Sequence, residues 1–172
     1  MASQNEKLKF LSHVAILENL TDQELVELQH IIHKKDFREN SVIMREGDSG
    51  DEMYLFQKGE VRVSKNLTLK IGKRGGFSKA EKSMVTLKAE NVDFFGEMAA
   101  IEKEKRSATI TANTDCVLYL VKRKDFENLC FRNPAIGCKI LLKVAKVLSK
   151  RIRDGNTDIL KLTTALSIAI SR

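Results

Sequence analysis

The hydrophobic pattern changes period twice along the chain. Over residues 1–40 apolar positions fall at helical intervals. Leu8, Leu11, Val14, Ile16 and Leu17 form a short cluster, and Leu25, Leu28 and Ile32 recur every three or four residues. Thr21-Asp22-Gln23-Glu24 precedes that second group and reads as a capping box, with Thr21 as cap and Glu24 bonding back. The polar stretch from Lys34 to Asn40 reads as a turn. From Ser41 the period shortens. Val42 and Met44, then Met53 and Leu55, sit in short segments punctuated by Gly47, Gly50 and Gly59. Val61 and Val63 alternate with Arg62 and Ser64, as expected of a half-buried strand. Val85, Leu87 and Ala89 alternate likewise, as do Ala108, Ile110 and Ala112, and Cys116 to Val121 is a more continuously apolar strand. Short strands with glycine-rich turns and no long helices between them predict an antiparallel sandwich, roll or barrel. Gly72 to Lys82, with Lys73, Arg74 and Lys79 among its glycines, reads as a long mobile hairpin loop. It lacks the GxxxxGK[ST] spacing of a nucleotide phosphate loop.

The helical period then returns. Asp125 to Phe131 makes one short helix. Asn133-Pro134 is a strong start signal for the next, with Asn as cap and Pro at the first helical position. Ile136, Ile140, Leu141, Val144, Val147, Leu148 and Ile152 give it an apolar stripe. Gly155 is expected to end this helix after Asp154, and Asn156 or Thr157 to cap a last one through Ile170. Beyond Asp158 that segment carries only Lys161 as a charge before Arg172, so it is expected to be buried against something.

Length and composition narrow the class. The 172 residues fit one domain, 1–172, divided into N-terminal helices (1–40), strands (41–122) and C-terminal helices (123–172). No apolar run reaches the roughly 18–20 residues that span a bilayer, and Met1 to Lys9 does not read as a signal peptide, so a cytoplasmic protein without a membrane partner is expected. Cys116, Cys130 and Cys138 are odd in number and form no CxxC pair, which argues against a disulfide framework or zinc knuckle. The net charge of +7 favours anionic partners without choosing among them.

The chemistry concentrates between Phe95 and Ala108, read as turn, short helix, loop and strand. Gly96 lets the backbone approach a ligand closely. The N–H groups starting the helix after it, together with its dipole, favour an anion. Arg106 can fork onto phosphate oxygens, Ser107 adds a hydroxyl donor, and Glu97 is an acceptor suited to sugar hydroxyls. Bonds of this kind contribute about 1.5–3 kcal/mol each. On physical grounds the segment is either a site for a small anion with adjacent hydroxyls or a turn braced by a Glu97–Arg106 ion pair.

The segment resembles the phosphate-binding cassette of cyclic nucleotide-binding domains, which follows Phe-Gly-Glu-apolar-Ala, a variable stretch, then Arg-x-Ala. Gly96, Glu97, Ala99, Arg106 and Ala108 fall on that pattern, while Lys105 stands where the family usually has Pro or a small residue. Upstream, Glu46-Gly47-Asp48, Gly50-Asp51, Tyr54 and Gly59-Glu60-Val61 are similar to the family's early strands, and Asp125-Phe126 precedes a long helix as in the family. The resemblance implies a mainly β fold with flanking helices: an eight-stranded antiparallel, jelly-roll-like β-roll between an N-terminal helical bundle and C-terminal lid helices. It implies that Glu97 binds a ribose 2′-hydroxyl, that Arg106 pairs with the cyclic phosphate, and that backbone N–H groups of Gly96, Ala99 and Ser107 cradle that phosphate. Arg151 falls near the position from which a C-terminal residue caps the base. The implied ligand is cAMP or cGMP, with no further cofactor and no metal, bound by a non-enzymatic regulatory domain whose C-terminal helices move. A homodimer through those helices is a further expectation.

Three other functions compete with this one. A DNA-binding regulator of the catabolite-activator type needs a helix-turn-helix after the long helix, and the apolar segment 155–172 leaves no room for one. A cupin-like metal enzyme needs histidines on its strands, whereas His13, His30 and His33 all precede them. A structural module that keeps the fold without the ligand is the third alternative, set against the presence of both Glu97 and Arg106.

Overall fold

The computed structural model describes residues 2–71, 76–97, 101 and 104–171. Helix α1 (Ala2–Leu11) and a single 3-10 turn at Ala15–Leu17 lead to α2 (Asp22–Leu28) and a second such turn at Gln29–Ile31. The capping box forms as read: Glu24 N–H donates to Thr21 Oγ1 at 3.3 Å, and Thr21 N–H to Glu24 Oε2 at 2.7 Å. Eight strands follow: β1 (Ile32–Phe37), β2 (Val42–Met44), β3 (Glu52–Lys58), β4 (Glu60–Ile71), β5 (Gly76–Lys88), β6 (Phe94–Phe95), β7 (Thr109–Ala112) and β8 (Cys116–Lys122). They pair antiparallel in two four-stranded sheets, ordered β1-β8-β3-β6 and β2-β7-β4-β5. Helices α3 (Arg123–Arg132) and α4 (Pro134–Ile170) close the chain. This is the expected mainly β fold with flanking helices, a β-roll.

The alternation of β3 and β8 explains where the core lies. Tyr54, Phe56, Leu118 and Leu120 point into the roll, where they meet Ile43, Val61, Phe95 and Ile110. Met53, Leu55, Tyr119 and Val121 point outward beneath the helices, against Leu11, Leu25, Leu129, Ile136 and Val144. This sheet is covered on both faces, hence the unbroken apolar run of β8.

Three boundaries differ from those the pattern predicts. Residues 32–37 form β1 rather than a helix end and turn, so the roll begins at Ile32 and not at Ser41. β1 is an edge strand with its middle exposed, so pairing with β8 defines it where apolar alternation does not. Residues 76–82, expected in a loop, belong to β5 and pair with β4 over Ile71 to Lys65. The rest of the expected loop, 72–75, lies outside the described residues. Finally, Gly155 does not end a helix: α4 runs through it to Ile170. A glycine inside a helix costs only about 1 kcal/mol relative to alanine, which the rest of a 37-residue helix offsets.

The N-terminal half of α4 is fastened to the body. Asn133 Oδ1 accepts from Ile136 N–H and its Nδ2 donates to Glu27 Oε2 at 3.2 Å. Lys139 pairs with Glu24 at 2.8 Å, and Lys143 with Glu18. At Gly137 an added Cβ would lie 2.6 Å from Cys130 Sγ, so glycine is what lets α3 and α4 approach. The far half, by contrast, is exposed throughout from Ser149 to Ser171. The expected burial of Ile159, Leu162, Leu166 and Ile170 does not occur within this chain. Among the described residues no helix is long and apolar enough to cross a membrane.

Candidate functional site

Arg106 is held before any ligand is considered. Its main chain is clamped by the turn at residues 47–50: Gly47 N–H donates to Arg106 O and Arg106 N–H to Asp48 O, both at 2.9 Å. Its side chain runs inward and is only 6 % exposed. The guanidinium donates from Nη1 to Glu52 O at 2.8 Å and to Gly96 O at 3.5 Å. It lies 5.9 Å from the centroid of the Tyr54 ring. Two glycines make room: an added Cβ would lie 2.1 Å from Arg106 Nε at Gly50 and 3.0 Å from Nη1 at Gly96. Gly96 also has a φ of +77°, a conformation that favours glycine. Tyr54 Oη donates to Glu52 Oε2 at 2.7 Å, and burial together with that carboxylate pushes the phenol well above its usual range.

Glu97 follows Gly96 and is equally buried, at 6 % exposure. Its partner is not Arg106. Arg151 of α4 reaches across and donates from Nη1 to Glu97 Oε1 at 2.8 Å and from Nη2 to Phe94 O at 3.1 Å. The Arg151 guanidinium also lies 5.0 Å from the centroid of the Phe94 ring. The turn-bracing Glu97–Arg106 pair therefore does not form, and each residue is held separately.

These side chains line one cavity of about 190 Å³. Gly96, Glu97, Arg106, Ser107 and Arg151 border it, with Met44, Val63, Leu87 and Ile110 as an apolar wall and Lys105 at its edge. Five of the six expected site residues are thus gathered by the fold, and the sixth, Ala99, lies outside the described residues. The arrangement joins a buried guanidinium, a buried carboxylate, a glycine backbone and an apolar wall, which suits a small anion with hydroxyls and a flat apolar part. Sequence reasoning missed Phe94 and the Glu52 carbonyl. A main-chain acceptor leaves no trace in residue type, and Phe94 reads only as an apolar residue. Among the described residues no group of His, Cys, Asp or Glu is arranged to hold a metal ion.

Residues 34–133 match the family model described as the cyclic nucleotide-binding domain. The chain is 32 % identical over 124 residues to a cAMP-dependent protein kinase regulatory subunit of Dictyostelium discoideum, covering 71 % of this chain and 35 % of the relative. It is 31 % identical over 118 residues to isozyme 1 of the cGMP-dependent protein kinase of Drosophila melanogaster, covering 69 % of this chain and 14 % of the kinase. It thus spans about a third or less of the length of these curated relatives. In fold it is similar to a crystal structure of a cyclic nucleotide-binding domain from Methylobacillus flagellatus, with a TM-score of 0.72, 23 % identity, and coverage of 92 % of this chain and 83 % of that one. A matched region longer than half the chain, carrying the buried Arg and Glu of the cavity, shows that this chain belongs to the cyclic nucleotide-binding domain family.

Proposed function

We propose that this chain is a sensor of cAMP or cGMP that catalyses no reaction, and that the cavity between the 95–108 segment and α4 receives the nucleotide. The observation that carries this reading is the pair of buried, separately held ionic side chains, Arg106 and Glu97, on one cavity. Arg106 meets the cyclic phosphate, with backbone N–H groups of Gly96, Ala99 and Ser107 beside it. Glu97 takes the ribose 2′-hydroxyl. Arg151 caps the base by stacking its guanidinium on the purine. The Ser107 hydroxyl can meet either the phosphate or a guanine amine, which keeps both nucleotides as ligands. The C-terminal helices move when the ligand enters, since α4 borders the cavity through Arg151.

Calorimetric titration with cAMP and cGMP, on the parent and on Arg106→Ala, tests the reading. The parent binds at least one nucleotide in the micromolar range, about −8 kcal/mol, and Arg106→Ala binds neither. A parent that binds neither at high micromolar concentration refutes the function. An Arg106→Ala variant that binds as well as the parent refutes the site.

The outer half of α4 favours a second reading alongside the first, a homodimer through these helices. Ile152, Ile159 and Leu166 recur every seven residues, with Leu148 and Leu162 on the neighbouring seam. Each of the first three is more than half exposed in the single chain. Sedimentation that gives only monomer removes this part of the proposal.

A further inference from the structure

The ion pair between Arg151 and Glu97 has an unusual setting. Arg151 is the last α4 residue, among those described, whose side chain makes a hydrogen bond or ion pair with the roll. Later side-chain bonds of α4, at Thr157, Lys161, Thr163, Thr164 and Ser171, stay within the helix. Val144 is the last buried residue of α4, so at Arg151 apolar packing has already given out. The guanidinium therefore tethers the helix through the Glu97 carboxylate, the Phe94 carbonyl and the Phe94 ring. The partners differ in exposure: the Arg151 side chain is 40 % exposed and that of Glu97 only 8 %. The carboxylate is the buried member, and a buried carboxylate needs a partner. The arginine is the member that can leave. A second cavity, of about 530 Å³, borders Arg151 between α4 and residues 91–94 and gives the side chain somewhere to go.

Resting on the reading of the cavity as a cyclic nucleotide site, we propose that Arg151 and the ligand's 2′-hydroxyl compete for Glu97. In this way Arg151 sets the site's affinity and its selectivity for a free ribose hydroxyl. A nucleotide with a 2′-hydroxyl gives the buried carboxylate a replacement donor, so Arg151 can swing away and become available to the base. A nucleotide without it offers Glu97 nothing in exchange. It binds with the tether still closed, or leaves a buried charge without a partner. Part of the binding energy of the full ligand is thus spent on opening the tether, which weakens the apparent affinity.

Arg151→Phe separates the tether from the stacking, because phenylalanine keeps a flat surface for the base and cannot pair with a carboxylate. Calorimetry with cAMP and 2′-deoxy-cAMP is expected to show cAMP binding about fivefold tighter in Arg151→Phe than in the parent, with the deoxy ligand nearly unchanged. An Arg151→Phe variant that binds cAMP no tighter than the parent, or that gains equally for both ligands, overturns the proposal. Hydrogen exchange over residues 145–154 without nucleotide reads the tether alone. Both Arg151→Phe and the conservative Glu97→Gln are expected to exchange several-fold faster there than the parent, while the strands of the roll keep their protection. If the parent binds neither nucleotide, the functional reading fails by itself, and the tether is judged on exchange: no acceleration in either variant overturns it.

Discussion

Gly50 offers a clean steric test of the site, because its backbone is not among those with a positive φ and alanine there strains nothing but its neighbours. A Cβ at Gly50 would sit 2.1 Å from Arg106 Nε, 2.5 Å from Cζ and 2.6 Å from Nη2. Ordinary contact between such atoms is about 3.5 Å, so the guanidinium has to withdraw by roughly 1.4 Å. It cannot do so and keep its 2.8 Å bond to the Glu52 carbonyl. On the proposed binding mode the displaced group also misses the cyclic phosphate. One misaligned charge-assisted bond corresponds to about 1.5–3 kcal/mol, or about ten- to hundredfold in affinity. Gly50→Ala is therefore expected to bind cyclic nucleotide nearly as poorly as Arg106→Ala, although it removes no ligand-contacting atom. Calorimetry on the two variants and the parent, with melting curves to confirm that each is folded, makes the comparison. A folded Gly50→Ala that binds within about threefold of the parent refutes the argument that this glycine positions Arg106.

Other outcomes follow from the same coordinates. Gly137→Ala forces a Cβ to 2.6 Å from Cys130 Sγ and 3.0 Å from its Cβ, so it is expected to destabilise the α3–α4 contact by about 1–3 kcal/mol in urea unfolding. Gly155→Ala meets no atom within 4 Å and is expected to stabilise the outer half of α4 by about 0.5–1 kcal/mol, read as slower amide exchange over residues 152–160. The hydrogen bond from Lys139 holds the Glu24 carboxyl below its usual value of 4.5. A group depressed on folding contributes stability above its unfolded pKa and loses it as pH falls through the folded value. The stability difference between the parent and Lys139→Met at neutral pH should accordingly shrink below pH 4.5. A difference that stays constant well below pH 4.5 would count against that ion pair.

How much of this was legible beforehand depended on whether local chemistry or distant pairing decided the element. Thr21, Glu24, Asn133 and Pro134 carry their own instructions, and both helix starts appear where those residues stand. Val61 and Val63 alternate because only one side of β4 faces the roll interior there, and that also is local. β1 is different: Lys34, Lys35 and Asp36 are exposed, and pairing with Val117 to Tyr119 makes the segment a strand. Residues 76–82 are extended because β4 lies beside them, a partner that their sequence, without apolar alternation, does not announce. At the site, residue types and spacing revealed Gly96, Glu97 and Arg106, since a ligand's chemistry dictates those side chains. The pairing of Glu97 with Arg151 was not legible, because it joins residues 54 positions apart through the angle at which α4 leaves the roll.

That angle matters beyond the cavity. From Ile152 to Ile170 the helix projects for about 28 Å at 1.5 Å per residue. Its inner half is anchored at Asn133, Lys139 and Lys143, and among the described residues its last side-chain bond to the roll is at Arg151. A rigid rod pivoting there works as a lever with a short arm at the cavity and a long one outside. A tilt of about 10° moves the Ile170 end by about 5 Å, a displacement comparable to one helical turn. On the proposed tether, the exchange of a single hydrogen-bond partner at Glu97 would be an event of an ångström or so. Carried along an uninterrupted helix, it would arrive at the tip magnified, and the continuity through Gly155 would keep that motion from being lost midway.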